Sequence, residues 1–338
     1  MKIIEMINQL SIIVPVTLTR RKKNILSRVI YFIENFKNTN FNLIIGTNSN
    51  NLKSIEKNIL NHPNIRIIYT SEEKKTDVNL SKLRNIAIQN ADTDYVLFLD
   101  IDFHLNMNML SDIFNDYLKN NKNNIQMYPC LYLSKKGTKL LNYNNHTDYI
   151  KHYFNYSRDL ILHLAFPSSI ILCDLESVKA INSFNESFSG HGYEDFDFIF
   201  RLLNHKGLIK ISEYSLKDET YLAPLLATGF RAEFSAIFIE ILKSKFYFLH
   251  KYHLKDNKEI YYQARIKNKK IFLNFLESKI ESNHTYGYFH LSNLFEKSFN
   301  HHDSDSLQGY SALWAEIPAY KFRQKKNMLE KLRRLLKI

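Results

Sequence analysis

Asp100-Ile101-Asp102 closes the apolar run Tyr95-Val96-Leu97-Phe98-Leu99. Five apolar residues bounded by polar ones read as a short buried strand. Two carboxylates one residue apart at its exit could hold a hard divalent cation beside a ligand phosphate. In an open α/β sheet the carboxyl end of a strand is where ligands sit. The same pair also suits a solvated turn, so its meaning depends on what the rest of the chain supplies. A second acidic cluster follows in Gly190-His191-Gly192-Tyr193-Glu194-Asp195-Phe196-Asp197. Its acids could equally form the first turn of a helix, where they complement the helix dipole. A third feature is the strand-like run Phe246-Tyr247-Phe248-Leu249, ending in His250, with His253 shortly after.

These groups need a scaffold, and the hydrophobic pattern provides one. Leu10 to Val16 reads as a buried strand with Pro15 at its exit, where no ladder donor is needed. Ile25, Val29, Phe32, Ile33 and Phe36 have helical spacing. Strands are read over 41–46 and 65–69, and a helix over 81–90 with Asn79 or Ser81 as its cap. The next strand delivers Asp100 and Asp102. Residues 134–159 are polar and read as loop or a small excursion; 168–173 and 208–211 read as strands; 175–181 and 194–203 read as helices. The alternation predicts an α/β, Rossmann-like, mostly parallel sheet flanked by helices, with a helical C-terminal extension. The expected division is a domain over 1–256, with an insertion at about 214–245, and an extension over 257–338.

The chain has 338 residues, of which 45% are hydrophobic, enough for a sizeable core. Cys130 and Cys173 are its two cysteines, so a disulfide framework is not expected. No signal-peptide pattern and no apolar stretch of bilayer length occur, so the expected location is cytoplasmic. The net charge of +12 implies an anionic partner. No zinc finger, RNP-type motif or helix-turn-helix pattern supports nucleic acid. Near the end, Leu329, Leu332, Leu335 and Leu336 interleave with Lys331, Arg333, Arg334 and Lys337. Such a segment suits the anionic inner face of the cytoplasmic membrane, packing on the body, or a subunit contact.

Ser11-Ile12-Ile13-Val14-Pro15-Val16, Leu83-Arg84-Asn85-Ile86-Ala87, Asp100-Ile101-Asp102 and Gly192-Tyr193-Glu194-Asp195, in this order, resemble an inverting GT-A glycosyltransferase of the family 2 type. The likeness spans roughly residues 8 to 270. It extends to bacterial capsule-building transferases of the chondroitin-polymerase-like group and to galactosyltransferases bearing a Gly-Gly-Glu-Asp motif. The resemblance implies a UDP-sugar donor, an oligo- or polysaccharide acceptor and an Mn²⁺ or Mg²⁺ cofactor. It implies transfer of a hexosyl or N-acetylhexosaminyl group. It assigns the metal to Asp102 and His250, with His253 as the alternative ligand and Asp100 as a further contact. It assigns donor binding to Pro15, Val16, Thr17, Asn48, Arg84 and Asp100. Asp195 corresponds to the general base, and Glu194 to a catalytic neighbour that binds the acceptor with Gly192 and His191. Here Ser189, His191 and Tyr193 depart from the usual motif, and Asn48 stands where an aspartate is common. His191 reads either as a contact to an acidic sugar or as a solvated loop histidine.

Two other functions fit parts of the pattern. A sugar-phosphate nucleotidyltransferase would want glycine in the loop Thr17-Leu18-Thr19-Arg20-Arg21-Lys22-Lys23, which has none. A non-catalytic polysaccharide- or nucleic-acid-binding protein would have no use for both Asp102 and Asp195.

Overall fold

Leu10–Val16, buried at all seven positions, forms strand β1 at the centre of a sheet. Burial on both faces is what a parallel strand covered by helices requires, and it explains the unbroken apolar run. The computed structural model describes residues 9–19, 21–57, 59–70, 78–120, 123–157, 159–219, 222–254, 260–280, 290–299 and 307–315. In chain order there follow β2 (Asn42–Thr47), β3 (Ile65–Tyr69), β4 (Tyr95–Phe98), β5 (Phe103–His104), β6 (Ile125–Met127), β7 (Cys130–Leu133), β8 (Ile161–Ala165), β9 (Ile171–Asp174) and β10 (Phe248–His250). The chain forms two compact units. One takes Met1–Met127, Ser169–Leu216 and Leu254–Thr285; the other takes Tyr128–Ser168, Lys217–His253 and Tyr286–Ile338.

The first unit holds a sheet of order β3-β2-β1-β4-β9-β6. β1 pairs in parallel with β2 and β4, and β2 with β3, while β9 runs antiparallel to β4 and β6. This is the mostly parallel α/β fold expected from the sequence. The chain moves outward through β2 and β3, then returns to the other side of β1 as β4. That reversal opens a crevice at the carboxyl ends of β1 and β4. Pairing between β1 and β4 stops at Ile13 and Phe98, where the Leu99 amide donates to the Ile13 carbonyl. Pro15 lies two residues beyond on the same side, so its missing N–H leaves no gap in the ladder.

The helix Lys22–Phe36 buries Ile25, Val29, Phe32, Ile33 and Phe36, and also Arg28. Fully burying such an apolar side chain contributes roughly 1.5–3 kcal/mol. The helix Leu80–Gln89 packs on β1 and β2 and starts at Asn79, whose side chain accepts from the Lys82 amide at 2.9 Å. Its approach depends on Gly46, because a Cβ there would stand 1.8 Å from the Leu83 carbonyl oxygen. Glu194–His205 is helical and buries Phe198, Ile199 and Leu202, with Phe198 stacked on Phe184 at 4.0 Å.

In the second unit β10, β7 and β8 lie side by side, β10 parallel to β7 and β8 antiparallel to it. Two readings are corrected by the structure. Residues 134–159 are not loop alone: they form the helices Lys135–Lys139 and His146–Phe154. Ser134 and Asn145 begin them as caps, and polar side chains mask the apolar face supplied by buried Tyr149 and Tyr153. Residues 208–211 form no strand; Ile209 and Ile211 are buried as irregular chain. The region 214–245 carries the helix Phe230–Ile237 and short 3₁₀ turns. Beyond residue 256 the helices Ile260–Glu277 and Leu291–Lys297 are formed. The basic segment over 321–338 lies outside the described residues, as do His301 and His302. No helix among the described residues is long and apolar enough to cross a membrane.

Candidate functional site

Arg84 gathers the acids of the first unit. It extends from the helix Leu80–Gln89, is 3% exposed, and donates from Nη2 to Asp100 Oδ1 at 3.0 Å and from Nη1 to Glu194 Oε1 at 3.4 Å. Its guanidinium lies over the Phe184 ring, 5.0 Å from the centroid. Burial would lower its pKa, but Asp100, Glu194 and Asp195 outweigh that and raise it. The two acidic motifs of the sequence therefore meet at one guanidinium. Asp100, half-buried at the exit of β4, also accepts from Ser169 Oγ at 3.5 Å.

Glu194 and Asp195 open the helix Glu194–His205. Burial first, and then the neighbouring charge of Asp195, push the Glu194 carboxyl up to about 7. Its Oε2 is buried and has no hydrogen-bond partner among the described residues. Burial also raises Asp195, against the pull of Arg84, the Phe196 amide and Arg265. Asp197 pairs instead with Arg201 at 2.8 Å. Two carboxyls raised by burial in one small space are suited to moving a proton.

The turn that aims these acids is shaped by residues at positive φ: Gly190 at 72°, Gly192 at 89° and Tyr193 at 75°. What approaches these glycines is the helix Ile260–Glu277. A Cβ on Gly192 would stand 2.6 Å from Arg265 Nη1, and one on Gly190 would stand 2.5 Å from the Ala264 Cβ. Asn268 donates to the Ser189 and Gly192 carbonyls, each at 2.9 Å, and the His191 amide donates to the Tyr261 carbonyl at 2.9 Å. The His191 ring lies against Tyr261 and Tyr262, and the Arg265 guanidinium lies over Tyr193 at 4.8 Å.

Asp102 has a different environment from Asp100. It is 6% exposed and accepts a fork from Arg21, Nη1 to Oδ1 at 3.3 Å and Nη2 to Oδ2 at 3.0 Å. Arg28 also pairs with Oδ1. Burial and then the charge of Arg21 lower the Arg28 pKa to about 10.

Pro15 and Val16 end β1, followed by Thr17, whose hydroxyl lies 3.0 Å from that of Thr19. Asn48 follows β2 and is buried, with no hydrogen-bond partner for Oδ1 among the described residues. In the second unit His250 is buried at the end of β10, its ring stacked on Tyr132 at 4.3 Å, and Tyr132 stacks on His163 at 4.5 Å. His253 lies 5.4 Å from His250, ring to ring.

Sequence reasoning did not single out Arg21, Arg28, Arg265 or Asn268. Arg28 carried a signal, since a charge stands on the apolar stripe between Ile25 and Val29. Arg21 lay in a basic run that reads as solvated surface. Arg265 and Asn268 belong to a helix whose apolar pattern is weak, so no face could be chosen in advance.

The family model described as glycosyltransferase like family 2 matches residues 11–277. No curated protein matches the chain. Among solved structures, S. aureus TarS 1-349 is 18% identical with a TM-score of 0.37, covering 58% of this chain and 56% of that one. The same TarS portion in complex with UDP-GlcNAc is 15% identical with a TM-score of 0.40, covering 92% and 82%. Glucosyl-3-phosphoglycerate synthase from Mycobacterium tuberculosis, in complex with Mn²⁺, UDP and glucosyl-3-phosphoglycerate, is 13% identical with a TM-score of 0.36, covering 59% and 67%. The chain thus spans little more than half of the TarS 1-349 chain first matched.

Proposed function

The chain belongs to the glycosyltransferase like family 2, and from that premise we propose an inverting, metal-dependent transfer of one sugar from a UDP-sugar to a growing capsular or other surface polysaccharide. The observation that carries this reading is the meeting of Asp100, Glu194 and Asp195 at the buried Arg84, beside the carboxyl end of β4. Asp195 takes the proton of the acceptor hydroxyl as it attacks. Glu194 holds that hydroxyl, and its buried Oε2 would gain the hydrogen bond it lacks. Asp100 contacts the donor, and Arg84 keeps the three acids in place. Direct attack is one displacement, so the anomeric configuration inverts. Pro15, Val16 and Thr17 border the nucleotide, and the unsatisfied Asn48 Oδ1 suits a donor group of its base.

The cation is assigned, on the family resemblance, to Asp102 and His250, with His253 as the alternative ligand and Asp100 as a further contact. A carboxylate is the donor type that suits Mn²⁺ or Mg²⁺, and an imidazole can complete the set. Bound there, it would neutralise the diphosphate leaving group as a Lewis acid. The net charge of +12 favours an acidic acceptor, and the basic segment over 321–338 would favour the inner membrane face.

A panel of UDP-sugars incubated with Mn²⁺ tests the reading. Slow release of UDP from one donor, abolished by a chelator, is expected. The acceptor product of that donor should show an inverted anomeric configuration by NMR. Retention of configuration, or indifference to the chelator, would reject the mechanism.

A further inference from the structure

We propose that Arg21 and Arg28 are ligands of the donor diphosphate, stored on Asp102 until the cation takes that carboxylate. The inference rests on the assignment of Asp102 to the metal. Both oxygens of Asp102 are already engaged: Arg21 spans Oδ1 and Oδ2 at 3.3 and 3.0 Å, and Arg28 joins it on Oδ1. A cation coordinated by Asp102 needs at least one of those oxygens and would face two guanidiniums of like charge. The clasp and the metal are therefore incompatible, unless anionic oxygen arrives with the metal to receive the displaced arginines.

A diphosphate supplies that oxygen. A guanidinium fork matches phosphate as well as it matches carboxylate. Arg21 stands at the start of the helix Lys22–Phe36 and Arg28 lies within it, seven residues on, with buried Ile25 between them. They follow the loop that leaves β1, where Thr17 was assigned to the donor. Arg21 holds its backbone at φ 45°, a left-handed conformation uncommon outside glycine. Anchoring Asp102 alone would need one arginine. A second, only 7% exposed along its side chain, is costly to bury unless its charge has another use.

Calorimetry on the full chain separates a phosphate role from a supporting one, using UDP with Mn²⁺, uridine, and Mn²⁺ alone as probes. Arg21→Gln should weaken UDP binding about tenfold, the scale of one charged hydrogen bond. It should leave uridine unchanged and bind Mn²⁺ alone at least as tightly as wild type, because a competitor for Asp102 is gone. Arg28→Lys keeps the charge without the fork and should show a smaller loss of the same pattern. Arg21 is 21% exposed along its side chain, so its variant decides the matter if the Arg28 variant does not fold. Unchanged UDP affinity would overturn the proposal. So would Mn²⁺ binding that weakens in step with UDP, since the arginines would then only support the carboxylate. Wild-type protein that binds neither UDP nor Mn²⁺ would instead defeat the donor-site reading beneath it.

Discussion

Arg84 and Asp102, both in the fold's first unit, have inverse surroundings. Around Arg84 one guanidinium serves Asp100 and Glu194 directly and lies within the field of Asp195. Around Asp102 one carboxylate serves Arg21 and Arg28. Burial raises Glu194 and Asp195 against the pull of that one cation, which suits taking a proton from a hydroxyl. Guanidiniums crowded about a single carboxylate suit an anion that brings more negative charge than one aspartate. The contrast divides the proposed reaction into an acceptor end and a leaving-group end.

The largest expected effect breaks the acidic half. Asp195→Asn should lower kcat by about 10² to 10⁴, the range for loss of a general base. UDP affinity measured by calorimetry should stay at the wild-type value; normal turnover would remove Asp195 from its role. Next is the cation that holds the acids. Arg84→Met leaves buried carboxylates uncompensated and should lose about 3–5 kcal/mol in urea unfolding. A loss under about 1 kcal/mol would mean the cluster is held by something else.

The pH dependence sharpens the comparison. kcat/KM should fall as pH drops below about 7, where Glu194 takes up its proton. Glu194→Gln removes a negative neighbour of Asp195, so the acidic limb should move to lower pH; an unmoved limb would assign it to another group. Stability has the opposite sign. The folded-state pKa of Glu194 stands above its ordinary 4.5, so stability from this group falls as pH rises from 4.5 to about 7. Glu194→Gln should flatten that slope in thermal unfolding. The smallest effect is at Asn79, whose cap starts the helix that carries Arg84. Asn79→Ala should cost about 1 kcal/mol, and leave kcat within twofold if the arginine keeps its direction.

Much of the first unit was legible because its strands are short, apolar and separated by regular helices. Leu10–Val16 and Ile65–Tyr69 were read with their observed limits, and of the two candidate caps, Asn79 and Ser81, the structure uses Asn79. The helices Lys135–Lys139 and His146–Phe154 were hidden, because asparagine, lysine and tyrosine give little periodic contrast. At 208–211 two isoleucines looked like strand, yet burial there needs no ladder. The acid motifs were readable as types; the guanidiniums on them were not. Arg84 was named for a donor, and its bonds to Asp100 and Glu194 cross gaps of chain that local pattern cannot span.

By itself the sequence determined the α/β alternation, the acids at the exit of β4 and at the start of Glu194–His205, and the family. Periodicity and short motifs are local properties, and local properties are written directly in residue order. Only the tertiary structure decided that Arg84 is shared among those acids, that Arg21 and Arg28 meet on Asp102, and that Ile260–Glu277 closes over Gly190 and Gly192. Electrostatic partners are chosen by distance in space and by exclusion of water, and neither quantity exists until the chain has packed.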